Sequence, residues 1–374
     1  MTQQRIAILM PDLCCGGAER VAVNLANGFV QRGHAVDMVL LSATGEFLVD
    51  LRPEVRVVDL QVKRMRGLFM PLIKYLRQTR PEAVLACMWP LTMVAIIARM
   101  LARVPARVVV AEHTTWSRSE LLMRPTVRLK VRTTMKHIFP HADEIVTVSL
   151  GAADDLAQFA DLDRKTITVI YNPVVSDVTP LPVAAPLLPS CWWSGSHRRI
   201  LAVGMLIKVK DYSTLLRAFA VLRQRVDARL LILGEGECRD ELETQARQLG
   251  IESSVFMPGF MKDLTPYYQQ ADLHVLSSTS EGFGNVIVEA LAVGTPVVST
   301  DCQSGPREIL SNGQFGSLVQ VGNAAALATA MFESLNTIHD ISAIKARAQD
   351  FSIDKATDQY LELLFPNPLL KKRE

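Results

Sequence analysis

The chain has 374 residues, 49% of them apolar and 21% charged, and its 40 Lys+Arg against 38 Asp+Glu leave a formal net charge of +2. That composition excludes a largely disordered chain, and the charge is too mild to mark a nucleic-acid binder. At roughly 100–200 residues per domain, two domains are expected.

The opening residues, MTQQRIAILMPD, hold too short an apolar run for a signal peptide and read as a first strand at 6–10. A helix is expected at 19–31, with Val21, Leu25 and Val30 on its buried face. Further strands are expected at 36–41, 55–60, 83–88, 107–112, 144–149 and 168–171. The uncharged, apolar stretch 83–98 contains Pro90 and Thr92 and falls below the ~18 residues of a spanning helix. From 173 to 199 the pattern stops, and Pro173, Pro180, Pro182, Pro186, Pro189 and the segment CWWSGSHRR mark a linker. Alternation then restarts, with strands at 200–206, 230–233, 255–257, 273–277 and 296–299 and helices from Asp211, Asp240, Val286 and Ala324. Strand, helix, strand in this order gives a parallel, doubly wound sheet in each half. The expected fold is α/β, two Rossmann-like domains facing across a cleft at the strand ends, where ligands of such sheets bind. The 6 cysteines (Cys14, Cys15, Cys87, Cys191, Cys238, Cys302) form no C-x-x-C pair, as suits reduced thiols in a cytosol.

Four stretches carry candidate chemistry. In CCGGAERVAVNL, Gly16 and Gly17 stand between the first strand and its helix, where paired glycines admit an acceptor or a phosphate to the helix amides, or simply make a tight turn. The full G-x-G-x-x-G is missing, which disfavours a dinucleotide and hence a dehydrogenase. In VVVAEHTTWS, His113 follows a strand at its C-terminal end, either as a ligand to substrate or as a histidine satisfied locally. In ILAVGMLIKVKDYSTLLRAF, Lys208 and Lys210 occupy the first loop of the second half, placed to neutralise a diphosphate or to be solvated.

The strongest signal is EGFGNVIVEALAVGTPVVS. Gly282 and Gly284 let backbone amides close on an anion at a helix start, while Glu281 and Glu289, seven residues between them, bracket the turn with carboxylates. Charge matching at the helix N-terminus explains Glu281 better than Glu289. A carboxylate about one and a half turns into the helix could hold ribose hydroxyls without crowding the phosphates. The stretch points to a ligand both phosphorylated and sugar-like.

Together with the E-H after a first-half strand, the G-x-L-x-x-x-K loop, LLILGEGECRDELE and VFMPGF, these motifs make the chain resemble the family 4 retaining glycosyltransferases of the GT-B fold, over nearly its whole length. The resemblance implies an acceptor domain at 1–172, a linker at 173–199, a nucleotide-sugar donor domain at 200–350 and a C-terminal helix within 351–374 returning to the first domain. It implies Glu289 on ribose hydroxyls, Glu281 on the transferred sugar, the amides of Phe283, Gly284 and Asn285 facing donor sugar and phosphate, Lys210 on the diphosphate and His113 on the donor sugar. The implied donor is a nucleotide-diphosphate sugar, UDP first, with no obligatory metal and no cofactor. GG-A-E-R chains of this family commonly extend bacterial surface or lipid-linked glycans, which implies such an acceptor. Two mixed basic and apolar stretches, KRMRGLFMPLIKYLR at 63–77 and RSELLMRPTVRLKVRTTMKH at 118–137, are what contact with an anionic membrane needs and also what ordinary basic surface helices show. The expected setting is the cytoplasm, or the inner face of the cytoplasmic membrane as a peripheral protein, with no nucleic-acid partner.

One position departs from the family pattern. Where the family has arginine after the glycine of the second-half loop, this chain has Met205, leaving Lys208 or Arg307 as a stand-in. The departure keeps open a partner protein that binds donor without transferring. An epimerase on the same fold would want acid and base side chains around the sugar, and the sequence identifies none.

Overall fold

Runs of β-branched and aliphatic residues without an alternating polar face can be buried only in a sheet covered on both sides, and both sheets of this chain are built from such runs. The computed structural model describes residues 4–366 apart from 15, 63, 120, 121, 123, 177–191, 193 and 194. It divides into two units, Met1–Val174 with Ser352–Glu374, and Val175–Phe351.

In unit 1, strands β1 (Arg5–Met10), β2 (Ala35–Leu40), β3 (Arg56–Asp59), β4 (Ala83–Cys87), β5 (Arg107–Glu112), β6 (Glu144–Thr147) and β7 (Ile167–Val169) form a parallel sheet in the order 3-2-1-4-5-6-7. Side chains alternate across it. Leu9, Val39, Val84 and Val108 face one apolar cluster with α2 (Phe69–Thr79), α3 (Leu91–Ala102), α4 (Pro125–Ile138) and α5 (Leu150–Ala160). Ile8, Met38, Leu85 and Val109 face the other, shared with α1 (Gly17–Gln31) and the C-terminal helix Ile353–Leu364. Helix α1 begins two residues before the expected start, because Gly16 is its N-cap. Arg32 at its end is paired with Asp354 (2.9 Å) and Asp358 of the C-terminal helix.

Unit 2 holds β8 (Arg198–Val203), β9 (Ala228–Leu233), β10 (Val255–Gly259), β11 (Leu273–Leu276), β12 (Val297–Thr300) and β13 (Ser317–Val319), parallel and ordered 10-9-8-11-12-13. Strand β8 ends at Val203 rather than 206 because Gly204 turns the chain at φ +148°. Edge strand β13 was not expected, since its three residues carry no apolar run. Most of the expected linker lies outside the described residues. Among the described residues no helix is long and apolar enough to cross a membrane, and the uncharged stretch at 83–98 divides between β4 and α3.

Tyr360 tests whether the C-terminal helix belongs to the core of unit 1, because its side chain is 1% exposed within that cluster. Tyr360→Ala should cost about 3–5 kcal/mol, the range for truncating a large buried aromatic residue, read as a lower urea midpoint. An unchanged midpoint would show that the helix is dispensable.

Candidate functional site

A doubly wound sheet leaves a crevice beyond the C-terminal ends of the two strands where the winding reverses. In unit 2 these are β8 and β11. After β8, Gly204 passes so close to its neighbours that a Cβ would lie 3.0 Å from Tyr212 Oη. One turn of 3-10 helix, Lys208–Lys210, follows, and the Asp211 carboxylate then accepts from Thr214 N (3.2 Å) to start the helix Tyr212–Arg223. After β11 the chain runs to Gly284, whose φ of +107° opens the helix Asn285–Val293 with no side-chain cap.

The two loops are tied together. Ser277 Oγ donates to the Lys210 carbonyl (2.7 Å) and Thr279 N to that of Val209 (2.8 Å). Lys210 Nζ meets Glu281 Oε1 at 2.7 Å, and Ser278 Oγ donates to the same oxygen at 2.6 Å. The pair is largely withdrawn from water, with side-chain exposures of 17% and 10%. The Phe283 ring is buried edge-on to Phe351, so its contribution to a ligand is its backbone. Gly305 closes over it: at φ +76°, a Cβ there would fall 1.8 Å from the Phe283 carbonyl oxygen.

Glu289 is the fifth residue of its helix, about one turn in rather than one and a half, because the helix starts at Asn285. Its Oε2 accepts from Tyr268 Oη at 2.9 Å. Tyr268 is buried, and burial together with the Glu289 charge drives its phenol well above the usual range, so it stays a donor. Sequence reasoning missed Ser278, whose partner Glu281 is three residues on, and also Tyr268 and Gly305, neither of which carries a local signal for a partner so far along the chain. Met205 is half exposed. Of its two stand-ins, Arg307 is committed to Asp301 (Nε to Oδ1, 3.0 Å), whereas Lys208 is exposed and its ammonium has no hydrogen bond or ion pair among the described residues.

In unit 1 the winding reverses between β1 and β4. Gly16 and Gly17 stand after β1 as expected, but the N-terminus of α1 already has an acid on it. A Cβ at Gly16 would lie 2.0 Å from Glu19 Oε2, and burial and the Asp12 charge raise the Glu19 carboxyl. Two carboxyl groups beside the turn suit a hydroxyl better than a phosphate. His113 follows β5 with both ring nitrogens buried and without a hydrogen-bond partner among the described residues. Burial lowers its pKa to about 4, so the ring is neutral. Its neighbour Glu112, the acid of the E-H motif and given no role from the sequence, is buried with no cation paired to it among the described residues, accepting from Thr92 Oγ1 (2.8 Å) and Trp89 N (3.4 Å).

Two doubly wound parallel sheets with these strand-end residues define a GT-B protein. The chain belongs to the family 4 glycosyltransferases: residues 15–178 match the family described as Glycosyltransferase Family 4, and residues 193–345 match Glycosyl transferases group 1. It is a transferase. Among its relatives, the N-acetylgalactosamine-N,N'-diacetylbacillosaminyl-diphospho-undecaprenol 4-alpha-N-acetylgalactosaminyltransferase of Campylobacter jejuni is 28% identical over 348 residues, 90% of each chain. A second transferase of that organism, named for a diNAcBac-PP-undecaprenol acceptor, is 24% identical over 96% of this chain and 98% of its own. Among solved structures, Anabaena HepE in complex with UDP-glucose shares the fold, with a TM-score of 0.80 at 23% identity over 97% of this chain and 99% of that one.

Burial raises the Glu112 carboxyl from 4.5 to about 7. The folded state therefore binds a proton more tightly than the unfolded state. The contribution of Glu112 to stability is therefore most favourable below about pH 4.5 and declines as pH rises toward 7, by about 3 kcal/mol. Glu112→Gln should flatten that slope, seen as urea midpoints that change less between about pH 5 and pH 7.5. Equal slopes in both proteins would mean that Glu112 ionises normally.

Proposed function

We propose that the enzyme transfers a sugar, with retention, from a UDP-sugar to a hydroxyl of a lipid-linked or surface glycan, unit 2 taking the donor and unit 1 the acceptor. The observation that carries this reading is the Lys210–Glu281 pair at the reversal point of the unit 2 sheet, beside a helix N-terminus with Glu289 one turn in. An arriving diphosphate competes with Glu281 for Lys210. As the ammonium turns to the phosphates, Glu281 is left facing the sugar, where positive charge develops as the glycosidic bond breaks. Lys210 and the helix N-terminus stabilise the opposite charge on the leaving diphosphate. Glu289, aligned by Tyr268, accepts the ribose hydroxyls, and neutral His113 is assigned to a hydroxyl of the donor sugar.

No side chain is assigned as nucleophile. The acceptor oxygen bonds to the anomeric carbon on the face the diphosphate leaves, and its proton passes to a diphosphate oxygen. The relatives' names support a polyprenyl diphosphate acceptor, and the UDP-glucose complex of HepE supports the donor. Peripheral contact with an anionic membrane fits the face of α4 on which Lys130 is exposed and Leu129 is 63% exposed. Met205 favours one second reading, a partner that binds donor without transferring it.

A panel of UDP-, GDP- and ADP-sugars, read by hydrolysis and thermal shift, should single out UDP. Glu289→Gln should weaken UDP binding by roughly tenfold to a hundredfold, the loss of a charge-assisted bond worth about 1.5–3 kcal/mol, and Tyr268→Phe should act in the same direction but less. His113→Ala should cut turnover and leave UDP affinity near wild type. Unchanged UDP affinity in Glu289→Gln sinks the donor assignment. If Lys208 stands in for the missing arginine, Lys208→Ala should damage turnover nearly as much as Lys210→Ala, and Met205→Arg should change little. A wild type that binds UDP, transfers nothing and gains activity on Met205→Arg would favour the non-catalytic reading.

A further inference from the structure

The loop after β12 runs beside the loop that carries Glu281. The register that pairs Leu276 with Ser299 inside the sheet is kept beyond the strand ends, where Ser280 pairs with Gln303. One step further, it sets Ser304 level with Glu281. Hydroxyls along both loops are committed to the chain itself: Ser277 Oγ donates to the Lys210 carbonyl, Ser278 Oγ to Glu281, Thr279 Oγ1 to the Val209 carbonyl (3.2 Å) and Thr300 Oγ1 to the Ser278 carbonyl. Ser304 differs. Its Oγ is shut off from solvent and has no hydrogen-bond partner among the described residues. Its backbone is strained as well, at a φ of +70° where a Cβ is unfavourable and glycine is the ordinary choice.

An unpaired hydroxyl on a strained residue destabilises the fold, and a ligand that supplies the missing partner offsets the loss. We propose that Ser304 binds the sugar of the donor, through a hydrogen bond from its hydroxyl to one polar substituent of the ring being transferred, an assignment that rests on the UDP-sugar donor proposed above. The residue as a whole is partly exposed, so a turn about χ1 between staggered rotamers presents the hydroxyl to a ligand. The charge around it selects a sugar over a phosphate. Ser304 is level with the Glu281 carboxylate, which repels an anion, and the phosphates have Lys210 and the helix N-terminus at Asn285 instead. Its loop offers no competing group: Asp301 is held by Arg307, and the Cys302 thiol stays protonated. Glu281 and Ser304 together can read two substituents of one ring, and a site built to hydrogen-bond a substituent rejects the analogue that lacks it.

The test is calorimetric binding of UDP, and of the UDP-sugar that the wild type hydrolyses, to the full chain. Ser304→Ala should weaken the UDP-sugar by about tenfold, the loss of one buried hydrogen bond, and leave UDP within about twofold of wild type. Ser304→Gly removes the hydroxyl and relaxes the backbone. It should lose the UDP-sugar to the same extent with no fall in the urea midpoint, which separates the loss from a folding defect. Wild-type affinity for the UDP-sugar in the alanine variant overturns the assignment, and so does an equal loss for UDP and UDP-sugar. The partner is read on UDP-sugars that each lack one ring substituent. One of them should bind wild type and Ser304→Ala equally, because the bond is already missing. An alanine effect that persists with every analogue overturns the hydrogen bond. A wild type that binds and hydrolyses the UDP-sugar, with variants that match it, rejects Ser304 alone, whereas a wild type that binds neither UDP nor any UDP-sugar rejects the donor reading and Ser304 with it.

Discussion

The ion pair between Lys210 and Glu281 is the constraint on which the unit 2 site depends. A carboxylate beside a helix N-terminus would compete with a phosphate for the same positive end. Holding it 2.7 Å from an ammonium makes the crevice close to neutral before any ligand arrives. The pair acts together with the bonds from Ser277 and Thr279 to hold the two loops in register at the reversal point. A pair so withdrawn from water is costly to break by removing one partner. In the proposed reaction an incoming diphosphate instead supplies a new partner to the cation as it leaves the carboxylate.

The groups around the pair keep the charge count simple. Cys302 is buried, and burial together with the Glu281 charge pushes its thiol up to about 12, so it stays protonated. Thr300 Oγ1 donates to the Ser278 carbonyl at 2.6 Å, anchoring the residue that shares the Glu281 oxygen. Tyr268 plays a comparable part for Glu289, with its carbonyl taken by Thr295 Oγ1 at 2.6 Å and its phenol donating to the carboxylate. Both glutamates of the motif are therefore oriented before ligand binds. Such preorganisation is where a phosphate-leaving reaction obtains most of its electrostatic help.

The central strands were legible because their apolar runs can only be buried, and β13 was not, because an edge strand of three residues needs no such run. Lys210, Glu281, Glu289 and His113 each stood out from the sequence. What could not be read was their engagement. Lys210 and Glu281 lie 71 positions apart and Tyr268 and Glu289 lie 21 apart, so their meeting is a consequence of strand order rather than local pattern. The orphaned nitrogens of His113 are a tertiary fact of the same kind. At Gly16 and Gly17 the turn was legible, but the carboxylate of Glu19 folded over it was not, and that carboxylate changes the chemistry the turn suits.

The two units treat charge in opposite ways. In unit 2 the loop cation and carboxylate are paired, Lys210 with Glu281. At the strand ends of unit 1 burial works against charge and no cation is paired with these groups among the described residues: it lowers the His113 pKa to about 4 and raises the carboxyls of Glu112, to about 7, and of Glu19. Neutral, desolvated donors and acceptors discriminate hydroxyl patterns well, since a mismatched hydroxyl leaves a buried polar group unsatisfied. They do little for a leaving diphosphate, which needs full charge.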